Sequence, residues 1–142
     1  MANPRVLFVC VENANRSQMA EAWARLLGGE AVEAFSAGSR PAGVINPNAL
    51  AAMREVGFDL TSQRSKSLTD LPDIEFDLVV FMGCGDSCPQ VRARRHVTWA
   101  IPDPKSMPLE EVRRIRDLIG VQVRQVLTEL GVVLLETHKP SR

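Results

Sequence analysis

The stretch Arg5-Val6-Leu7-Phe8-Val9-Cys10-Val11-Glu12-Asn13-Ala14-Asn15-Arg16-Ser17 decides the fold. Its first seven residues form a nearly continuous apolar, β-branched run, the pattern of a strand buried on both faces of a parallel sheet. A short polar loop, Glu12 to Arg16, follows. A helix is expected at once, with Ser17 as its N-cap and Met19, Ala20, Trp23, Leu26 and Leu27 at helical spacing before Gly28 and Gly29 stop it. Strand, tight loop and helix make the first half of a βαβ unit.

The same alternation continues downstream. A second strand fits residues 31–37, ended by Gly38 and Pro41. Asn46 can cap a second helix whose first turn holds Pro47 and whose apolar stripe is Leu50, Met53 and Val56 before Gly57. Residues 77–82 read as a third buried strand running into the turn-rich Gly83-Cys84-Gly85-Asp86-Ser87-Cys88-Pro89, and residues 96–101 as a short fourth. A long amphipathic helix is marked by Leu109, Val112, Ile115, Leu118, Ile119, Val123, Val126, Leu127 and Leu130, with Gly120 as its expected weak point. Alternating strands and helices with right-handed crossovers predict a single α/β domain over residues 1–142. It is a doubly wound, four-stranded parallel sheet of order 2-1-3-4 with helices on both faces. In that order the ends of strands 1 and 3 share one edge, bringing Cys10 and Cys84 to the same crevice.

Composition narrows the function classes. The 142 residues carry 17 basic and 17 acidic side chains, so the net charge is zero. That balance argues against nucleic-acid and membrane-surface partners, which need a broad positive field. No apolar stretch approaches a membrane span, and the run from Val6 to Val11 is too short for a secretory core. Three cysteines match no secreted disulfide framework, so free thiols in a reducing cytoplasm are the expectation. No cofactor or metal is expected: zinc wants four ligands, and only His96 is near Cys84 and Cys88 in sequence. Arg92, Arg94 and Arg95 either steer anions or a partner, or form a solvated face.

Any anion site must therefore be local. Five residues between Cys10 and Arg16 let the backbone of Val11, Glu12, Asn13, Ala14, Asn15, Arg16 and Ser17 curl into a nest of N–H groups, and the helix adds its positive end. That suits a tetrahedral oxyanion. Arg16 offers a planar fork for two of its oxygens, and the same field favours the thiolate form of Cys10. Ser17 can hydrogen-bond that thiolate, and Asn13 can brace the loop through its side chain. Displacing an oxygen from a tetrahedral centre also calls for an acid. Asp103, held between Pro102 and Pro104, is the candidate.

Cys10-x5-Arg16-Ser17 after the first strand, Ser36-Ala37-Gly38 after the second and Asp103-Pro104 late in the chain resemble the low-molecular-weight protein tyrosine phosphatase superfamily. The likeness covers roughly residues 5–130. Within it, Cys84 and Cys88 followed by Pro89 are similar to the thioredoxin-coupled arsenate reductase branch. Two differences from phosphatase members stand out: Lys105 rather than an aromatic follows Asp103-Pro104, and the chain has no tyrosine.

The resemblance implies Cys10 as nucleophile, Arg16 as oxyanion ligand, Asp103 as acid and Cys84 and Cys88 as successive resolving thiols. The partners it implies are arsenate or a phosphate-like oxyanion, and thioredoxin or another thiol reductant. Two rivals remain: a phosphotyrosine phosphatase whose extra cysteines sense oxidation, and a non-catalytic oxyanion-binding module.

Overall fold

A computed structural model describes residues 3–83 and 90–135. Cys84 and Cys88 therefore lie outside the described residues. Four strands, β1 (Arg5–Cys10), β2 (Glu33–Gly38), β3 (Phe76–Phe81) and β4 (Ala93–Thr98), form one sheet of order β2-β1-β3-β4. All three ladders are parallel, with Cys10 opposite Gly38 and Val9 opposite Phe81. This is the expected topology, and it sets the carboxyl ends of β1 and β3 side by side.

The apolar run in β1 is explained by burial on both faces. Val6, Phe8 and Cys10 face the larger core, with α1 (Arg16–Gly28), α2 (Pro47–Glu55) and α3 (Leu109–Glu129) packed over it. Leu7 and Val9 face a smaller core closed by Leu68, Leu71, Ile74 and Val91. Each fully buried Leu, Val or Phe contributes roughly 1.5–3 kcal/mol. The helical element over this second face, among the described residues, is the 3-10 turn Leu68–Asp70, capped by Ser67.

The start of α2 and the end of α1 follow local chemistry. The Asn46 side chain caps α2 by accepting the Asn48 N–H at 2.8 Å, and Pro47 fills the first helical position. Gly29, at φ 54°, ends α1. Ser17, however, is not the cap of α1: the helix begins at Arg16, its N-cap is Asn15, and no side chain caps it.

The fourth strand lies three residues earlier than expected. The strand ends at Thr98; Trp99 makes one last backbone bond to the Phe81 carbonyl at 2.9 Å, and its side chain and that of Ile101 pack in the larger core, so the apolar signal there marks packing rather than strand. Gly120 does not interrupt α3, which runs unbroken to Glu129. Among the described residues, no helix is long and apolar enough to cross a membrane.

Candidate active site

The loop after β1 is shaped by where its carbonyls go. The Cys10 carbonyl accepts from Ser39 N–H at 3.3 Å, Val11 from Arg40 at 2.8 Å and Glu12 from Ala42 at 2.9 Å. The Ala14 carbonyl accepts from Asn46 N–H at 2.9 Å, and Asn13 from Gln18 Nε2 at 3.1 Å. Five successive oxygens are thus drawn outward into neighbouring segments. The Glu12 to Asn15 amides meet no protein acceptor among the described residues, the condition for an anion-binding nest.

Asn13 holds this curl in place. Its φ of 51° is left-handed, a conformation asparagine tolerates better than most residues. Its buried side chain accepts from Lys66 N–H and Gln18 Nε2, each at 2.9 Å, and donates to Ser17 Oγ at 2.7 Å. Gly38 closes over the loop from β2: a Cβ there would sit 2.5 Å from the Val11 carbonyl. That contact explains why a glycine ends the Ser36-Ala37-Gly38 stretch.

Cys10 is 3% exposed at the floor of a cleft of about 280 Å³, and its sulfur is 2.8 Å from Ser17 Oγ. Arg16 lines the same cleft and is buried. Its Nη1 donates to the Ile101 carbonyl at 3.0 Å, and its Nη2 stands 3.7 Å from Asp103 Oδ2. Gly83, at φ 94°, lies directly against this guanidinium, where any Cβ would collide with it. Gly83, the last described residue before Cys84, thus lines the same cleft as Cys10 and Arg16.

The rim is charged. Glu12 and Lys105 meet at 2.7 Å, and Lys105 N–H donates to Asp103 Oδ1 at 3.1 Å. Glu12, first through its hydrogen bond and then through its charge, pushes the Lys105 ammonium above the ordinary lysine value.

Sequence reasoning missed a second buried cluster behind the loop. Glu21, on α1, accepts from Ser36 Oγ at 2.5 Å and from Arg25 at 2.6 Å, with Lys66 Nζ 3.5 Å away. Lys66 also supplies the backbone N–H that anchors Asn13, so one residue connects the charge cluster to the loop. The available signal was Ser17 and Glu21, four apart on one helical face. The Arg92, Arg94 and Arg95 side chains form the solvated face, being exposed and paired with Asp73, with Glu75 and Asp77, and with Glu129. Among the described residues, no cluster of three or more His, Cys, Asp or Glu side chains could hold a metal.

The model of the low molecular weight phosphotyrosine protein phosphatase family matches residues 5–133. The chain belongs to this family. It is 39% identical over 123 residues to an arsenate reductase of Brevibacillus brevis, covering 84% of this chain and 91% of the relative. A solved arsenate reductase in its phosphate-binding state superimposes with a TM-score of 0.82 at 31% identity, over 89% of this chain and 98% of that one. A Corynebacterium glutamicum thioredoxin-dependent arsenate reductase gives 0.74 at 34% identity, over 91% of this chain and 62% of that longer one. Family membership accounts for the cradle geometry; the three relatives' names concern the reaction it hosts in them.

Proposed function

We propose that the chain reduces arsenate to arsenite, with Cys10 as nucleophile and Cys84 and Cys88 as a thiol relay. The observation that carries this reading is Gly83 seated on the Arg16 guanidinium, which makes the residue preceding Cys84 part of the oxyanion cleft. A phosphatase needs no thiol directly after that glycine. The names of the similar proteins support the same substrate.

In the proposed reaction the arsenate oxygens take the Arg16 fork and the free loop amides. The Cys10 thiolate attacks arsenic, and Asp103 passes a proton to the departing oxygen, which leaves as water or hydroxide. The Cys84 thiolate then attacks the Cys10 sulfur. The sulfur–arsenic bond breaks with its electron pair going to arsenic, so As(V) becomes As(III) while two thiols become a Cys10–Cys84 disulfide. Cys88 attacks Cys84, releases Cys10 and leaves a Cys84–Cys88 disulfide for an external thiol reductant, of which thioredoxin is one.

Single-turnover assays test this directly. One arsenite should appear for every two thiols lost, and Cys84→Ser should stall with arsenic bound to Cys10. Full turnover by Cys84→Ser would remove the relay, and phosphotyrosine hydrolysis without arsenate turnover would replace reduction with phosphatase chemistry.

A further inference from the structure

The geometry points to the Glu12–Lys105 ion pair as a latch across the mouth of the cleft, one that admits free inorganic oxyanions and selects against oxyanion monoesters. This inference rests on the oxyanion reading of the cleft and adds its substrate class.

Glu12 belongs to the loop after β1 and Lys105 to the loop between β4 and α3, 93 residues apart in sequence. Both line the cleft that holds Cys10 and Arg16. The Cys10 and Arg16 side chains are buried at its floor, whereas Glu12 and Lys105 are 39% and 58% exposed. Their 2.7 Å contact therefore joins the two rims on the solvent side.

The direction of attack gives that position its meaning. A sulfur at the floor displaces in line, so the departing oxygen points away from it, toward the mouth. For a free oxyanion that oxygen carries at most a proton. For a monoester it carries the organic substituent, which must occupy the space the two side chains close.

Both sides of the latch are anchored. The Glu12 carbonyl accepts from Ala42 N–H and Ser65 Oγ, each at 2.9 Å, and Lys105 N–H is tied to Asp103. Glu12 also raises the Lys105 ammonium above its ordinary value, so the cationic half persists throughout neutral pH. The pair is solvent-exposed, and its discrimination is accordingly about two- to fivefold.

The test measures dissociation constants for inorganic phosphate and phenyl phosphate on the full chain, and follows their ratio. Glu12→Gln removes a negative charge and Lys105→Gln a positive one, so absolute affinities should move in opposite directions. Both open the latch, and the ratio should shift toward phenyl phosphate by about two- to fivefold in each. The exchanged pair, Glu12→Lys with Lys105→Glu, should restore the wild-type ratio.

An unmoved ratio in the single variants overturns the latch while leaving the oxyanion site standing. A ratio that shifts in them but is not restored by the exchange assigns the effect to separate side chains and also overturns the latch. Absence of phosphate binding to the wild-type chain overturns the oxyanion site, and the latch with it.

Discussion

The Ser17 hydroxyl lies 2.8 Å from the Cys10 sulfur while accepting the Asn13 Nδ2 proton at 2.7 Å. With one lone pair occupied by Asn13, the hydroxyl can aim its own proton at sulfur. A hydrogen bond to a charged group contributes about 1.5–3 kcal/mol. Ser17→Ala should therefore slow iodoacetamide alkylation of Cys10 near neutral pH by roughly tenfold or more. Ser17→Thr, which keeps the hydroxyl, should retain most of the rate. An alkylation rate unaffected by the alanine would mean that the loop amides alone stabilise the thiolate.

Gly83 is the second position where one atom decides the site. Its positive φ costs a non-glycine residue about 1–2 kcal/mol, and any side chain would push the Arg16 guanidinium off the Ile101 carbonyl. Gly83→Ala should weaken inorganic phosphate binding by about tenfold or more, as loss of a charge-assisted bond requires. Calorimetric titration with phosphate measures it, and thermal unfolding of the same variant separates lost affinity from lost folding.

The parts of this molecule legible in sequence are those encoded by neighbouring residues. β1 was legible because burial on both faces imposes an unbroken apolar run, and the loop because its cysteine, arginine and serine sit at fixed spacing. β4 was misplaced because it is a sheet edge whose arginines pair with distant acids, leaving Trp99 and Ile101 as the stronger but misleading signal. Gly83 reads locally as a turn glycine, and its contact with Arg16 depends on two strand ends meeting. Lys66 and Glu21 are 45 residues apart, and no local pattern states that a lysine will reach a buried carboxylate. Ser17 sat where a cap was expected, yet its hydroxyl is used on the sulfur instead.

Gly120 inverts a propensity argument. In an exposed helix interior, glycine to alanine gains about 1 kcal/mol. Here a Cβ would come within 2.8 Å of the Trp23 ring, whose Nε1 donates to the Arg116 carbonyl at 2.9 Å. The missing side chain lets the indole lie against α3 and reach that oxygen. Gly120→Ala should destabilise the fold by roughly 1–3 kcal/mol, the usual range for overpacking. Urea unfolding gives the sign, and a stabilised variant would show that the ring shifts aside freely.

Glu55 connects α2 to α3 and carries a pH signature. Its carboxylate accepts Arg113 Nε and Nη2 at 2.8–3.0 Å and Arg116 Nη1 at 2.7 Å. The Arg113 bonds first, then Arg116 and both charges, outweigh the opposing effect of burial and hold Glu55 below its ordinary value of 4.5. A depressed carboxyl value adds stability that is present above the unfolded-state value and lost as pH falls through the folded one. Glu55→Gln should therefore be less stable than wild type near neutral pH, and the gap should close on acidification below 4.5. Much of the pair is exposed, so the gap should also shrink in high salt. Paired urea titrations near neutral pH and at about pH 3 measure the difference; a gap that stays constant would assign the effect of Glu55 to packing rather than charge.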